Sequence, residues 1–136
     1  MKDADTLALV SHNLGKADDA LIQADALFAI DQHFGVVNRA YYAVFYASLA
    51  ILLTKGLGSS KHSGALALFD REFVKTQEVD KKWSKMYHTL FELRATGDYA
   101  KLTAVSKAQA DKAFQDAKEF VIWARQWLRE REWMEQ

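Results

Sequence analysis

The sequence predicts an all-α fold, an up-and-down bundle of about five helices, four of them long and forming the core. Three observations point there. The 136 residues hold no proline and only six glycines, too little punctuation for a sheet-rich chain with many tight turns. Half of the residues are hydrophobic, which excludes a disordered chain. Apolar side chains recur at three- and four-residue spacing along most of the length. One domain is expected over 1–136, with its core over 5–128 and a charged tail over 129–136.

Each element has its own reason. Leu7, Val10, Leu14, Ala17, Leu21, Ala24 and Phe28 form one stripe, with Lys16, Asp18, Asp19, Gln23 and Asp25 on the other face. That pattern predicts an amphipathic helix over 5–30, capped by Asp3 or Asp5. Gly35 reads as the break after it. The stretch 36–55 is apolar nearly all round, as the central helix of a bundle should be. Its alanines at 40, 43, 47 and 50 form a small-residue stripe, suited to core packing or, less commonly, to the close approach of another subunit. Gly56 to Ser60 reads as a turn, and a third helix over 62–75 points Leu66, Phe69 and Phe73 inward. After the polar stretch 76–82, a fourth helix carries Val79, Trp83, Met86, Leu90 and Leu93, widened by Tyr87 and Phe91, and Gly97 marks its end. Ser106 and Gln109 form a capping box for the fifth helix, whose stripe runs from Ala110 to Leu128. The tail 129–136 is expected to fray, with Trp127 and Trp133 available to hold it to a partner.

Composition also removes whole classes of function. Without cysteine there is no disulfide, thiolate zinc site, iron–sulfur cluster or cysteine nucleophile. The four histidines lack metal-ligand spacing, no Gly-rich phosphate loop is present, and no cofactor is expected. The acidic N-terminus does not resemble a signal peptide. The apolar run over 40–53 is 14 residues, short of the roughly 20 that span a bilayer. A cytoplasmic protein without membrane association is expected. The 18 basic and 18 acidic side chains balance, which argues against a general polyanion coat. The balance hides an asymmetry: residues 1–34 carry a net −4, residues 35–101 a net +4, and residues 102–136 balance. A solvated basic face, a local anion site and head-to-tail pairing of unlike faces between subunits all fit that pattern.

Three groups of residues carry candidate chemistry. His62 opens a helix beside Lys61, where backbone N–H groups favour an anion; a solvent-exposed helix-start residue is the bland alternative. Arg39, Tyr42 and Tyr46, at i, i+3 and i+7, share a face and could hold a phosphate and stack a base. Arg39 could equally pair with an acid of the first helix, and the tyrosines could be core residues with wet tips. Arg94, Asp98 and Tyr99 could form a nucleotide-contact cluster or a simple i, i+4 ion pair.

Arg39-Ala-Tyr-Tyr-Ala-Val-Phe, His62-Ser-Gly64, Phe69-x-x-x-Phe73-Val74-Lys75 and Arg94-x-x-x-Asp98-Tyr99 follow one another in register. Over about 7–128 the chain resembles the HEPN domain family (higher eukaryotes and prokaryotes nucleotide-binding), in its small stand-alone prokaryotic branch. The resemblance implies a helical bundle, a homodimer, and pairing with a separately encoded minimal nucleotidyltransferase, often as a toxin–antitoxin couple. Many members are metal-independent endoribonucleases carrying Arg, then four to six residues, then His. Here that window holds Val44, Phe45 and Tyr46 after Arg39, and Tyr99, Ala100 and Lys101 after Arg94. The leading expectation is a dimeric module that binds a nucleotide or RNA phosphate at Arg39, Tyr42, Lys61, His62, Arg94, Asp98 and Tyr99. In it the two arginines hold phosphate, Tyr42 or Tyr99 stacks, and Asp98 orients Arg94. An endoribonuclease toxin using Arg94 and His62, if the bundle brings them together, and a purely structural assembly module are the alternatives.

Overall fold

The computed structural model describes residues 2–99 and 105–134, with side chains over 2–95 and 105–134. Five α-helices follow in order: α1 (Ala4–Ala29), α2 (His33–Leu53), α3 (His62–Phe69), α4 (Lys81–Tyr99) and α5 (Lys107–Glu130). No strand occurs among the described residues. The all-α bundle is thus the observed fold. α2 runs through its centre, packed along α1 and against α4 and α5. That position explains its composition: all four stripe alanines, with Val36, Val37, Tyr41, Val44, Ile51 and Leu52, are fully buried. The alanine stripe is therefore core within one chain, where small side chains let the neighbouring helices close in. By length and hydropathy α2 as a whole could cross a membrane, but two thirds of its apolar 18-residue stretch is buried by the rest of the bundle.

The boundaries differ from expectation for a definable reason. α1 ends when Asp31, at φ +58°, takes the left-handed position, and the amides of Asp31 and Gln32 return to the carbonyls of Phe28 and Leu27. This is the Schellman closure, usually made by glycine. Gly35 is not the break; it lies in the first turn of α2, where a Cβ would meet Leu27 at 3.0 Å. α2 ends by the same closure at Gly56 (φ +69°), and α5 by the same closure at Glu132 (φ +61°). α4 continues through Gly97 to Tyr99. The capping box of α5 forms as read, with Ser106 Oγ accepting from Gln109 N and Ser106 N donating to Gln109 Oε1.

The third segment is one α-helix only as far as Phe69. Residues 70–74 form a π-helical turn in which Lys75 N bonds Asp70 O at 2.8 Å. The turn keeps Phe73 buried below Phe69 and presents Asp70 to α4. There its carboxylate accepts from Ser84 Oγ at 2.6 Å and pairs with His88 Nε2 at 2.5 Å. Core aromatics join the layers, Trp83 of α4 stacking on Trp123 of α5 at 4.7 Å. As far as residue 134 the tail is held by its own fold: Trp133 packs on the core, Trp127 is buried and lies under Arg131, and Lys2 reaches the face of Trp133.

Candidate functional site

The first helical residue of α3 brings an imidazole against α2. A short turn prepares it: Ser59 Oγ accepts from Lys61 N at 3.1 Å, and Gly64 leaves room, since a Cβ there would lie 2.5 Å from Ser59 Oγ. His62 then stacks on Phe45 at 4.5 Å and meets Tyr42 edge-on at 5.3 Å. Its Nδ1 is 2.8 Å from the hydroxyl of Tyr41, a fully buried residue. Burial pushes the Tyr41 phenol well above its usual range, so its proton stays on. Either the phenol donates to Nδ1, which puts the ring proton on Nε2, or Nδ1–H donates to the phenol oxygen and leaves Nε2 as acceptor.

Arg94 of α4 lies over the same rings, its guanidinium carbon 5.1 Å from the centre of Tyr41 and 5.4 Å from that of Tyr42. Burial, and then the positive charge of Arg94, lower the pKa of His62 below 6.5. The imidazole is therefore neutral around pH 7, able to accept a proton next to a fixed cation.

Arg39 approaches Tyr42 independently, its guanidinium carbon 4.5 Å from the ring centre. It donates to Asn38 Oδ1 at 2.9 and 3.1 Å and to Gln23 Oε1 of α1 at 3.0 Å, so its helix-one partner is an amide and not the acid that one of its two readings offered. Tyr42 thus carries an arginine from each of two helices, and Tyr46 lies 6.0 Å from it along the same face of α2.

Arg39, Tyr42, His62 and Arg94 are brought together from three helices. Lys61 stands next to His62 with its side chain exposed. Asp98 and Tyr99 lie in the last turn of α4, but their side chains fall outside the described residues. Tyr41 and Phe45, which hold the imidazole, were not singled out from the sequence. The signal is present: Tyr41 stands in the same motif as Arg39, next to Tyr42 and about a quarter turn round the helix from it. Among the described residues no group of three or more His, Asp and Glu side chains is placed to hold a metal.

Guanidiniums, phenols and one imidazole gathered on three helices define a helical-bundle protein with a cationic, aromatic surface site. The chain belongs to the HEPN domain family, which matches residues 10–127. A UPF0332 protein of Thermotoga maritima is 51% identical over 87 residues, 64% of this chain and 66% of its own length. A toxin candidate of Methanocaldococcus jannaschii is 34% identical over 96 residues, 71% of this chain and 65% of its own. A second toxin candidate from that organism is 30% identical over 105 residues, 77% of this chain and 78% of its own. The matches cover just under two thirds of the first two relatives.

Proposed function

We propose that this protein is a dimeric, cytoplasmic HEPN module that binds a nucleotide or RNA phosphate and works with a separately encoded minimal nucleotidyltransferase in a toxin–antitoxin-like pair. One observation carries the binding reading: the Arg94 guanidinium stands over Tyr41 and Tyr42 beside a neutral His62. A planar cation on phenol faces is pre-oriented to donate in-plane N–H groups to phosphate oxygens, while its stacking face stays occupied. Half-buried Tyr42 supplies a ring for a base, and Arg39 a second cation. Membership of the family and the toxin-candidate names of two relatives support the pairing.

A second reading, a metal-independent endoribonuclease, is favoured by one specific feature. His62 and Arg94, far apart in sequence and on different helices, share the same two tyrosine rings. An acid–base imidazole next to a phosphorane-stabilising guanidinium is the pair that cleavage at a 2′-hydroxyl requires.

Titration with ATP and with a short RNA at low salt in EDTA tests both. Saturable binding is expected, weakened at least about tenfold in Arg94→Gln, the loss of one charge-assisted phosphate contact. Absence of binding in the wild type would leave only an assembly module. RNA cleavage lost in both Arg94→Gln and His62→Gln, with circular dichroism unchanged, would put the second reading in place of the first.

A further inference from the structure

Beyond Arg39 the face of α2 meets α1 in a cleft of about 170 Å³ lined by Lys16, Asp19, Ala20, Gln23, Arg39 and Tyr46. Antiparallel register builds it. Lys16 and Gln23 are two helical turns apart on α1, as are Arg39 and Tyr46 on α2. Gln23 therefore meets Arg39 at 3.0 Å, and Lys16 Nζ lies 5.1 Å from the ring centre of Tyr46. Arg39 links the cleft to the Arg94 cluster, because the Tyr42 ring is contacted by both Arg39 and Arg94, at 4.5 and 5.4 Å.

We propose that this cleft is a second nucleotide subsite, taking the neighbouring phosphate and ribose of a single-stranded RNA whose first phosphate lies at Arg94 and His62. It rests on the phosphate-binding reading of the Arg94 cluster. The contacts of Lys16 and Arg39 given above are with neutral groups, namely a phenol ring, Gln23 and Asn38. In this they differ from Arg125 and Lys55, which pair with Asp18 and Glu78, each at 2.7 Å. An incoming phosphate thus finds two cations without displacing an ion pair. Lys16, resting on Tyr46, marks that ring face as open; when the ammonium swings to phosphate, a base can take its place. Asp19 decides the sugar. A carboxylate only accepts, so it opposes a bare phosphate but takes a hydrogen bond from a ribose 2′-hydroxyl, which deoxyribose lacks.

The test uses the full chain, fluorescence anisotropy with labelled hexauridylate and its deoxy counterpart, and calorimetry with uridine monophosphate. Lys16→Gln is expected to weaken hexauridylate binding by roughly three- to tenfold and to lower the salt slope by about 0.7, the loss of one single-strand phosphate contact. Uridine monophosphate binding at the Arg94 cluster is expected to be unchanged. Asp19→Asn is expected to narrow the preference for RNA over DNA. Unchanged hexauridylate affinity and salt slope in Lys16→Gln, while Arg94→Gln weakens both ligands, would overturn the cleft and leave the Arg94 site standing. Equal wild-type affinity for RNA and DNA would overturn the role of Asp19. Failure of the wild type to bind either ligand would overturn both sites together.

Discussion

A histidine that folds into a partly apolar place beside a cation holds its proton less tightly than it does in the unfolded chain. His62 is such a group, with burial the larger cause and Arg94 the smaller. Between its lowered folded pKa and 6.5, the unfolded chain binds more protons, so stability is lost as pH falls through that window and is fully present above it. The denaturation midpoint of the wild type should therefore fall as pH is lowered below about 6.5, and His62→Phe should flatten that part of the profile. Parallel profiles for the two proteins would contradict the buried, Arg94-facing placement. Glu78 acts in a separate, more acidic window. Its hydrogen bond from Lys55 lowers its pKa, so its contribution is present above 4.5 and lost as pH falls further. Of these facts, the position of His62 at a helix start was legible from the sequence. Its bond to Tyr41, 21 residues away, was not, because a contact between α2 and α3 depends on how the intervening turn closes.

Within α2 the alanine stripe admitted two uses, and burial selects one. Ala47 is fully covered inside a single chain. Ala47→Leu should destabilise the fold by about 1–3 kcal/mol through overpacking. Denaturant titration measures the loss, and sedimentation should show association unchanged; the reverse pattern would make the stripe an interface. The helix ends teach a related lesson. Pattern reading looks for glycine at a left-handed terminus, yet Asp31 and Glu132 stand beside Gly56 in such closures among the described residues. Gly35 therefore reads as the break in sequence although it lies inside α2. The π-helical turn at 70–74 was equally hidden, since one extra residue in a turn leaves the spacing of Phe69 and Phe73 helical. Its consequence is tertiary: Asp70 meets Ser84 and His88 of α4.

In the whole molecule, the acidic N-terminal helix is partly answered inside the chain, Asp18 pairing with Arg125 of α5. Head-to-tail pairing of subunits is therefore not needed to neutralise all of it. Exposed Leu9 and Ile22 on α1 and Ile122 on α5 leave apolar surface outside the bundle. The proposed homodimer predicts a sedimentation coefficient of a dimer at micromolar concentration, and a monomer there would remove it.

The sequence by itself determined the helical class, the stripes and the central place of α2, because 3.6-residue periodicity is a local property of the chain. It also placed Arg39, Tyr42 and Tyr46 on one face, for the same reason. Only the tertiary structure decided that Arg94 and His62 share the rings of Tyr41 and Tyr42, and that Lys16 and Gln23 answer Tyr46 and Arg39. Those contacts join helices, and the relative rotation and register of packed helices is set by side chains distant in sequence, which no local period encodes.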